Sequence, residues 1–404
     1  MFKFRFLLFI PAALKKNVKT TPFLFIDVKL ICVPVILLII ITACKKPYNP
    51  QVVSSPQSFL VVEGVVNSGA DSTFVKLSRT VPVYNTTTYN PETKATVTVE
   101  GEDNTTYPLL ENVNGIYVSA GLNLDAAKKY RLRITTADNT VYLSNFEEVK
   151  IAPPIDSIGY TIKSSGLQLY SNAHDATNKT RYYRFEYDED WKFHAAYNTD
   201  IEATGKDIIK RAKSVYMCYT KDKSIDVTMG STAKLGQDVL YQQPIALIPS
   251  SSEKLSVRYS ILLKQYALTK EAYSFWEQLR ANTERLGSIF DPQPSQSIGN
   301  IKCITDSAKI AIGYVSIGTV QTRRKYINRS ELPANWSVNY GCNVDTLFFK
   351  YGINLLFIVP HSINPIDKAI NSNNEWLGYL YSTIPCTDCT TRGELMKPAF
   401  WKDE

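Results

Sequence analysis

Apolar and polar residues alternate along much of this chain. Val97 and Val99 fall on one face of a predicted strand, and Tyr130, Leu132 and Ile134 fall on one face of another. Gly, Asn, Asp and Ser residues interrupt these segments at short intervals. A period of two with frequent turn residues is typical of β-strands. We therefore predict a mainly β protein.

The predicted strands fall into two groups. Residues 58–152 contain short strands whose lengths and turns indicate an immunoglobulin-like or transthyretin-like β-sandwich. Pro153 and Pro154 end this group, because proline has no N–H to donate to a strand ladder. We place a domain boundary at these prolines and predict a larger β-rich domain over residues 153–404.

One segment of the second domain has a helical period instead. Thr269 suits the N-cap position, and Gly287 suits the left-handed position after the last turn. Between them, the apolar residues that recur on one helix face are Ala272, Phe275, Trp276, Leu279 and Leu286. We predict an amphipathic helix packed on its own sheet, with a partner-binding face as the alternative.

The chain begins with the parts of an export signal. Lys29 provides a positive charge, residues 30–41 are almost purely apolar, and two small residues precede Cys44. The apolar run is shorter than the about 20 residues that cross a bilayer. The sequence Ile-Thr-Ala-Cys is similar to the lipobox of bacterial lipoproteins, in which the cysteine is acylated. We predict a signal segment over residues 1–43, lipid attachment at Cys44 and a tether over residues 44–57.

The formal net charge of +7 is concentrated in this signal. The residues before Cys44 carry +5, and the rest of the chain carries +2 without a basic tract. Binding to a phosphate backbone needs clustered Lys and Arg side chains. We therefore expect no nucleic-acid partner.

Cysteine usage agrees with export, because disulfides persist in the periplasm and on cell surfaces. Five cysteines follow Cys44, so at least one is unpaired, and we expect this to be Cys303. The Cys-x-x-Cys pair near the C-terminus lacks a second ligand pair for zinc and a βαβ context for redox chemistry. We predict two disulfides, with three possible connectivities, among Cys218, Cys342, Cys386 and Cys389.

Linear motifs of catalysis are missing from the sequence. It has three histidines and no HExxH, GxSxG, P-loop or dinucleotide motif. His174–Asp175 fits a polar loop, and Asp188–Asp190 fits a turn better than a calcium site. We expect no cofactor or metal and favour a non-enzymatic protein, although the two facing carboxylates of a glycosidase leave no linear motif.

Aromatic residues give the remaining indication of a ligand. The chain has 25 Tyr and 5 Trp residues, which are densest over residues 182–197. Tyr and Trp suit carbohydrate and peptide surfaces because they combine apolar area with a polar tip, although they also suit β-sandwich cores. We predict a candidate ligand surface at Tyr183, Tyr187 and Trp191.

Several segments, taken in order, resemble one known family. This family comprises exported lipoproteins of Bacteroidetes with the domain of unknown function 4249. Each segment is weak alone, but together they cover nearly all of residues 44–404. The segments are the lipobox, residues 59–66, 115–117, 130–134, 154–158, 182–186, 266–269 with Trp276, 287–294, 313–314, and 386–389 with 398–401.

The resemblance implies no established activity and no catalytic residues. Genes of the family commonly lie beside those of TonB-dependent receptors, which implies an accessory part in uptake. We therefore expect a non-enzymatic outer-membrane lipoprotein that captures an unidentified ligand for a TonB-dependent receptor or docks on it. The alternatives are a lipid-anchored hydrolase of glycan or peptide and an envelope-structure or adhesion protein.

The residues around the signal leave two questions open. Residues 1–27 are long for the start of a signal, and Val28 can be an alternative start codon, so we hypothesise that residues 1–27 are not translated. Lys45 and Lys46 follow Cys44, whereas surface lipoproteins of this phylum are similar in carrying acidic residues there. The sequence therefore predicts an outer-membrane anchor and leaves the surface and periplasmic faces as alternatives.

Overall fold

A computed structural model gives the fold of most of the chain. Its contacts divide the chain into two units, Met1–Ser55 and Pro56–Glu404, and every described residue belongs to the second. The structure describes residues 58–81, 89–204, 207–284, 299–350 and 362–402. The predicted signal, Cys44 and the tether therefore lie outside the described residues.

The protein is mainly β, as the alternating pattern predicts. The first sixteen strands are β1 Leu60–Asn67, β2 Thr73–Arg79, β3 Thr96–Gly101, β4 Thr106–Val113, β5 Ile116–Ser119, β6 Lys129–Thr135, β7 Val141–Ser144, β8 Glu147–Glu148, β9 Ile155–Lys163, β10 Gly166–His174, β11 Tyr182–His194, β12 Ile201–Ala203, β13 Ile208–Lys210, β14 Met217–Lys223, β15 Thr228–Ser231 and β16 Val239–Pro249.

The remaining elements include the helices. The strands are β17 Arg258–Ala267, β18 Ile301–Cys303, β19 Ala311–Ile312, β20 Ser316–Gly318, β21 Val320–Asn328, β22 Asp345–Phe348, β23 Ile363–Ile370 and β24 Trp376–Thr383. The helices are α1 Lys270–Glu284 and the short α2 Ile384–Thr387, with 3-10 turns at Glu253–Leu255, Arg329–Glu331 and Cys389–Thr391.

Eleven strands form the first sheet, in the order β18-β7-β6-β3-β4-β5-β2-β1-β19, with β20 beside β1 and β8 beside β6. Alternate side chains of these strands are buried in one hydrophobic cluster, which includes Val97, Val99, Tyr130, Leu132 and Ile134. The predicted faces of these strands are thus confirmed. Three strands of this sheet come from residues 301–318, far along the chain. The boundary at residue 152 stays a prediction.

Gly313 allows this late segment to approach β1 closely. β19 and β20 both pair in parallel with β1, and Gly313 lies between them. Its φ is +133°, and a Cβ at this position would lie 2.1 Å from the carbonyl oxygen of Val62. Only glycine adopts this conformation without strain and leaves the space free.

Two further sheets share a second hydrophobic cluster. One has the order β16-β10-β9, and the other has the order β14-β11-β17-β21, with β15 also paired to β11. The residues of β11 at odd positions, such as Tyr183 and Phe185, are buried in this cluster. The residues at even positions, from Arg184 to Lys192, therefore lie on the opposite face of the sheet.

The predicted helix is present as α1. The backbone N–H of Ala272 donates to the hydroxyl oxygen of Thr269 at 3.1 Å, as an N-cap requires. Ala272 and Phe275 are buried beside Tyr266 and Tyr314, so the helix packs on its own protein. The predicted positions Leu286 and Gly287 lie outside the described residues.

The C-terminal region contains the sheet β22-β24-β23 and at least one cysteine of each disulfide. Cys218 is joined to Cys389, and Cys342 is joined to Cys386. The structure thus selects one of the three connectivities that the sequence left open. Cys303 is a free, partly buried thiol.

Candidate functional site

A cleft of about 620 Å³ opens beside helix α1. We call it the Arg184 cleft. Its walls come from β1 and β2, from the even face of β11, from β17 and from α1. The residues that line it include Val61, Glu63, Phe74, Arg184, Glu186, Ile225, Asp226, Tyr266, Phe275, Trp276, Leu279 and Tyr314.

An arginine held between two aromatic rings forms the polar centre of this cleft. The Arg184 guanidinium lies 4.2 Å from the centre of the Trp276 ring and 4.8 Å from that of Tyr266. Its Nη2 atom lies 3.0 Å from Oε1 of Glu186. The register of β11 against β17 places Arg184 opposite Tyr266, which explains why the two side chains meet.

Glu186 completes this polar centre by linking β11 to β17. Its Oε2 atom accepts a hydrogen bond of 2.7 Å from the Tyr266 hydroxyl. Burial and the Glu186 charge raise the pKa of Tyr266, so the phenol stays protonated and keeps donating. The Nε atom of Arg184 is buried and has no hydrogen-bond partner among the described residues. The Nε–H group of Arg184 is therefore a buried hydrogen-bond donor that no described residue accepts from.

The rim of the cleft is apolar and exposed. The side chain of Ile225 is 93% exposed, and that of Phe74 is 56% exposed. Glu63, at the same rim, forms an ion pair of 2.8 Å with Lys76. An apolar rim around a few fixed polar groups is the usual composition of a small-molecule site.

Tyr183 does not belong to a ligand surface, which corrects our prediction. Its ring is fully buried, and its hydroxyl donates to Oδ2 of the buried Asp238 at 2.6 Å. Tyr187 and Trp191 are half-buried and pack against the same core. Burial raises the pKa of Tyr187 to about 12. These residues occupy odd positions of β11, which face the core.

The sequence interpretation missed Arg184 and Glu186, although a signal for them was present. Every even position of β11 from 184 to 192 carries a charged residue. Further along this face, Asp188 pairs with Lys264 at 2.7 Å and Asp190 pairs with Arg324 at 3.1 Å. The alternation of charge therefore marked the face that borders the cleft.

The other sites considered from the sequence have separate structural partners. Nδ1 of His174 contacts Asp156 at 2.7 Å on the surface, and Asp175 caps its own loop through Thr177. Within the described ranges, no group of three or more His, Cys, Asp or Glu side chains could hold a metal ion. Cys386 and Cys389 are bonded to different partners, so this Cys-x-x-Cys is neither a redox pair nor a zinc pair.

A family model described as Domain of unknown function (DUF4249) matches residues 45–324. The chain belongs to this family. In this DUF4249 protein, the matched range contains every residue of the Arg184 cleft and ends within β21. The closing segments at residues 386–389 and 398–401 lie beyond the match. No curated protein matches the chain.

In the part of this DUF4249 protein that the structure describes, no helix is both long and apolar enough to cross a bilayer.

Proposed function

We propose that this DUF4249 protein is a non-enzymatic lipoprotein of the outer membrane that captures a small ligand and docks on a TonB-dependent receptor. The observation that carries the proposal is the Arg184 cleft. It offers a volume suited to a small organic molecule, an apolar rim and a fixed polar centre. The lipobox at Cys44 supports the anchor, and family membership supports the receptor as partner.

The polar centre suits recognition of a ligand that has both apolar and polar parts. Arg184 and Glu186 hold each other, and two rings hold the guanidinium, so little side-chain freedom remains to be lost on binding. The partly exposed carboxylate of Glu186, which lines the cleft, can accept a hydrogen bond from a hydroxyl or amine of the ligand. Phe74 and Ile225 would cover the apolar part of the ligand.

Replacing Ile225 with serine should weaken binding at the cleft. The probe is 8-anilinonaphthalene-1-sulfonate, an apolar anion whose fluorescence rises on binding. Losing the apolar contact removes roughly 1.5 kcal/mol, or about a tenfold increase in Kd. Leu110→Ser is the matched control, because Leu110 is 74% exposed and does not line the cleft. Equal Kd values for the two variants would count against a site at the cleft.

Replacing Cys44 with serine should release the protein from the membrane. Acyl chains contribute about 0.8 kcal/mol per buried CH₂, and the variant has no thiol to acylate. We expect Cys44→Ser in the soluble fraction or as uncleaved precursor, and Cys303→Ser in the membrane fraction as wild type. A Cys44→Ser protein that is cleaved and still sediments with membranes would rule out lipid attachment at this cysteine.

The receptor is tested by affinity purification of the acylated protein from detergent-solubilised membranes. We expect a TonB-dependent receptor to co-purify with wild type and with Leu110→Ser. If the lipoprotein purifies alone under conditions that preserve known receptor complexes, the docking role is contradicted. Ligand capture is tested separately, by the fluorescence titration.

A hydrolase is the second candidate because three carboxylates line the same cleft. Glu63, Glu186 and Asp226 line it, and glycoside hydrolysis uses two facing carboxylates. Turnover of glycans or peptides that is lost in Glu186→Gln would favour this function. Binding without turnover would favour capture.

A further inference from the structure

A second cleft, of about 740 Å³, shares a wall with the first. Phe275 and Tyr314 line both clefts, with ring centres 5.5 Å apart. We call the second one the Glu147 cleft. Its charged lining residues include Glu147, Glu148, Lys150, Arg181, Lys270 and Glu271. This cleft is far more polar than the Arg184 cleft.

Glu147 is an unusual buried group in this cleft. Only 8% of the residue is exposed. Its Oε1 atom accepts hydrogen bonds of 2.9 Å from Nδ2 of Asn300 and from the Tyr314 hydroxyl. Both donors are neutral. Among the described residues, no cation pairs with Glu147 and nothing donates to its Oε2 atom.

Asn300, one of the two donors to Glu147, is itself fixed in the fold. Asn300 also donates to the carbonyl oxygen of Val315 and accepts from the backbone N–H of the same residue. The amide of Asn300 therefore keeps its orientation. Oε1 of Glu147 serves to join β8 to the segment around β18, whereas Oε2 is left for another donor.

The nearest charges make a cationic donor favourable at this point. Glu148 and Glu271 add negative potential around Glu147, and burial with these two charges raises the pKa of the Glu147 carboxyl. A buried carboxylate without a cation is costly, and one charge-assisted hydrogen bond from an ammonium group offsets that cost.

Exposed and half-buried cationic side chains outnumber the carboxylates in the lining of this cleft. Five cationic side chains and three carboxylates line the cleft. The cationic residues are Lys129, Lys150, Lys179, Arg181 and Lys270. Lys150 is engaged with Glu148 at 3.0 Å. A ligand that is positive at one end and negative further along matches both parts of the lining.

We propose that the Glu147 cleft binds the free amino terminus of a short acidic peptide. The peptide ammonium donates to Oε2 of Glu147 at the bottom of the cleft, and Lys179, Arg181 and Lys270 hold the carboxylates of the following residues. The volume of the cleft suits the first few residues of such a peptide. This site is additional to the Arg184 cleft and does not depend on the lipid anchor or the receptor.

The test uses the purified full-length protein in detergent and two pools of random pentapeptides. One pool has free amino termini, and the other is the same pool after N-acetylation. Peptides that elute with the protein from a size-exclusion column are identified by mass spectrometry. We expect at least tenfold greater retention of free peptides, with enrichment of Asp and Glu. Equal retention of the two pools, or no retention, would overturn the proposal.

Glu147→Gln provides the site-specific arm of this test. We expect it to abolish the preference for free amino termini, while Ile225→Ser keeps it, so the two clefts are judged separately. A glutamine carbonyl can still accept from Asn300 and Tyr314, so the fold is retained. If Glu147→Gln keeps the preference, the ammonium binds elsewhere. The comparison of the two peptide pools on wild-type protein tests the proposal even if the variant does not fold.

Thermal unfolding distinguishes binding from a purely structural role. Because the folded protein raises the pKa of Glu147, wild-type stability falls as pH rises from the usual range of a glutamate through the raised pKa. Glu147→Gln lacks this loss of stability. The Tm of the variant minus the Tm of wild type should therefore be more positive at pH 8 than at pH 4. A lower Tm at both pH values, with peptide preference intact, would assign Glu147 a structural role alone.

Discussion

Replacing Cys389 with serine should lower the free energy of unfolding by about 5 kcal/mol, the value that the loop-closure model gives for a crosslink of this span. The Cys218–Cys389 bridge closes a separation of 171 residues, and both cysteines are fully buried. They pack with Phe193 and Ala195. The variant therefore releases a long loop in the unfolded chain and leaves a thiol and a hydroxyl in an apolar cluster.

Guanidinium denaturation under oxidising conditions measures this effect. Cys342→Ser opens a bridge with a separation of 44 residues and should lose about 1 kcal/mol less by the same model. Cys303→Ser is the control, since Cys303 is unpaired, and it should change stability by about 0.5–1 kcal/mol at most. A Cys389→Ser midpoint equal to that of Cys303→Ser would show that the long bridge does not constrain the unfolded chain.

Replacing Gly313 with alanine should lower the free energy of unfolding by about 3 kcal/mol or more, from a strained φ together with a steric clash. The new Cβ would lie 2.1 Å from the Val62 carbonyl oxygen, at a φ of +133°. The backbone cannot move away easily, because β19 and β20 pair with β1 on both sides of Gly313.

Gly236→Ala is the matched control for this substitution. A Cβ at Gly236 meets nothing within 4 Å, and its φ is not in the left-handed region. We expect a change of about 0.5 kcal/mol or less there. Gly313→Ala should also weaken probe binding in the Arg184 cleft, since Gly313 lines it. Similar denaturation midpoints for the two variants would show that the close approach of Gly313 to Val62 does not constrain stability.

Much of the architecture could be predicted because strands and helices have local periods. Neighbouring residues determine both the strand face shared by Tyr130, Leu132 and Ile134 and the N-cap at Thr269. Both predictions are confirmed. The sequence analysis did not predict β18, β19 and β20. Strands of two or three residues show no period, and their pairing with β1 and β7 depends on contacts across most of the chain.

The candidate site was harder to predict than the fold. The aromatic cluster of β11 was visible, but a strand between two layers does not reveal which face is buried, so Tyr183 was assigned to the wrong environment. Arg184 gains its role from Tyr266 and Trp276, which are distant in sequence. A charge at every even position was the only local sign of this face, and it did not identify the aromatic partners.

The pairing of β18 with β7 and of β19 with β1 has a consequence for synthesis. Both edges of the eleven-stranded sheet are covered by strands from residues 301–312. A nascent chain that ends before these residues has two uncovered edges, which can template intermolecular pairing. At about 5–20 residues per second, the gap between making β7 and making β18 exceeds several seconds. Chains truncated before residue 301 are therefore expected to aggregate more readily than the complete chain.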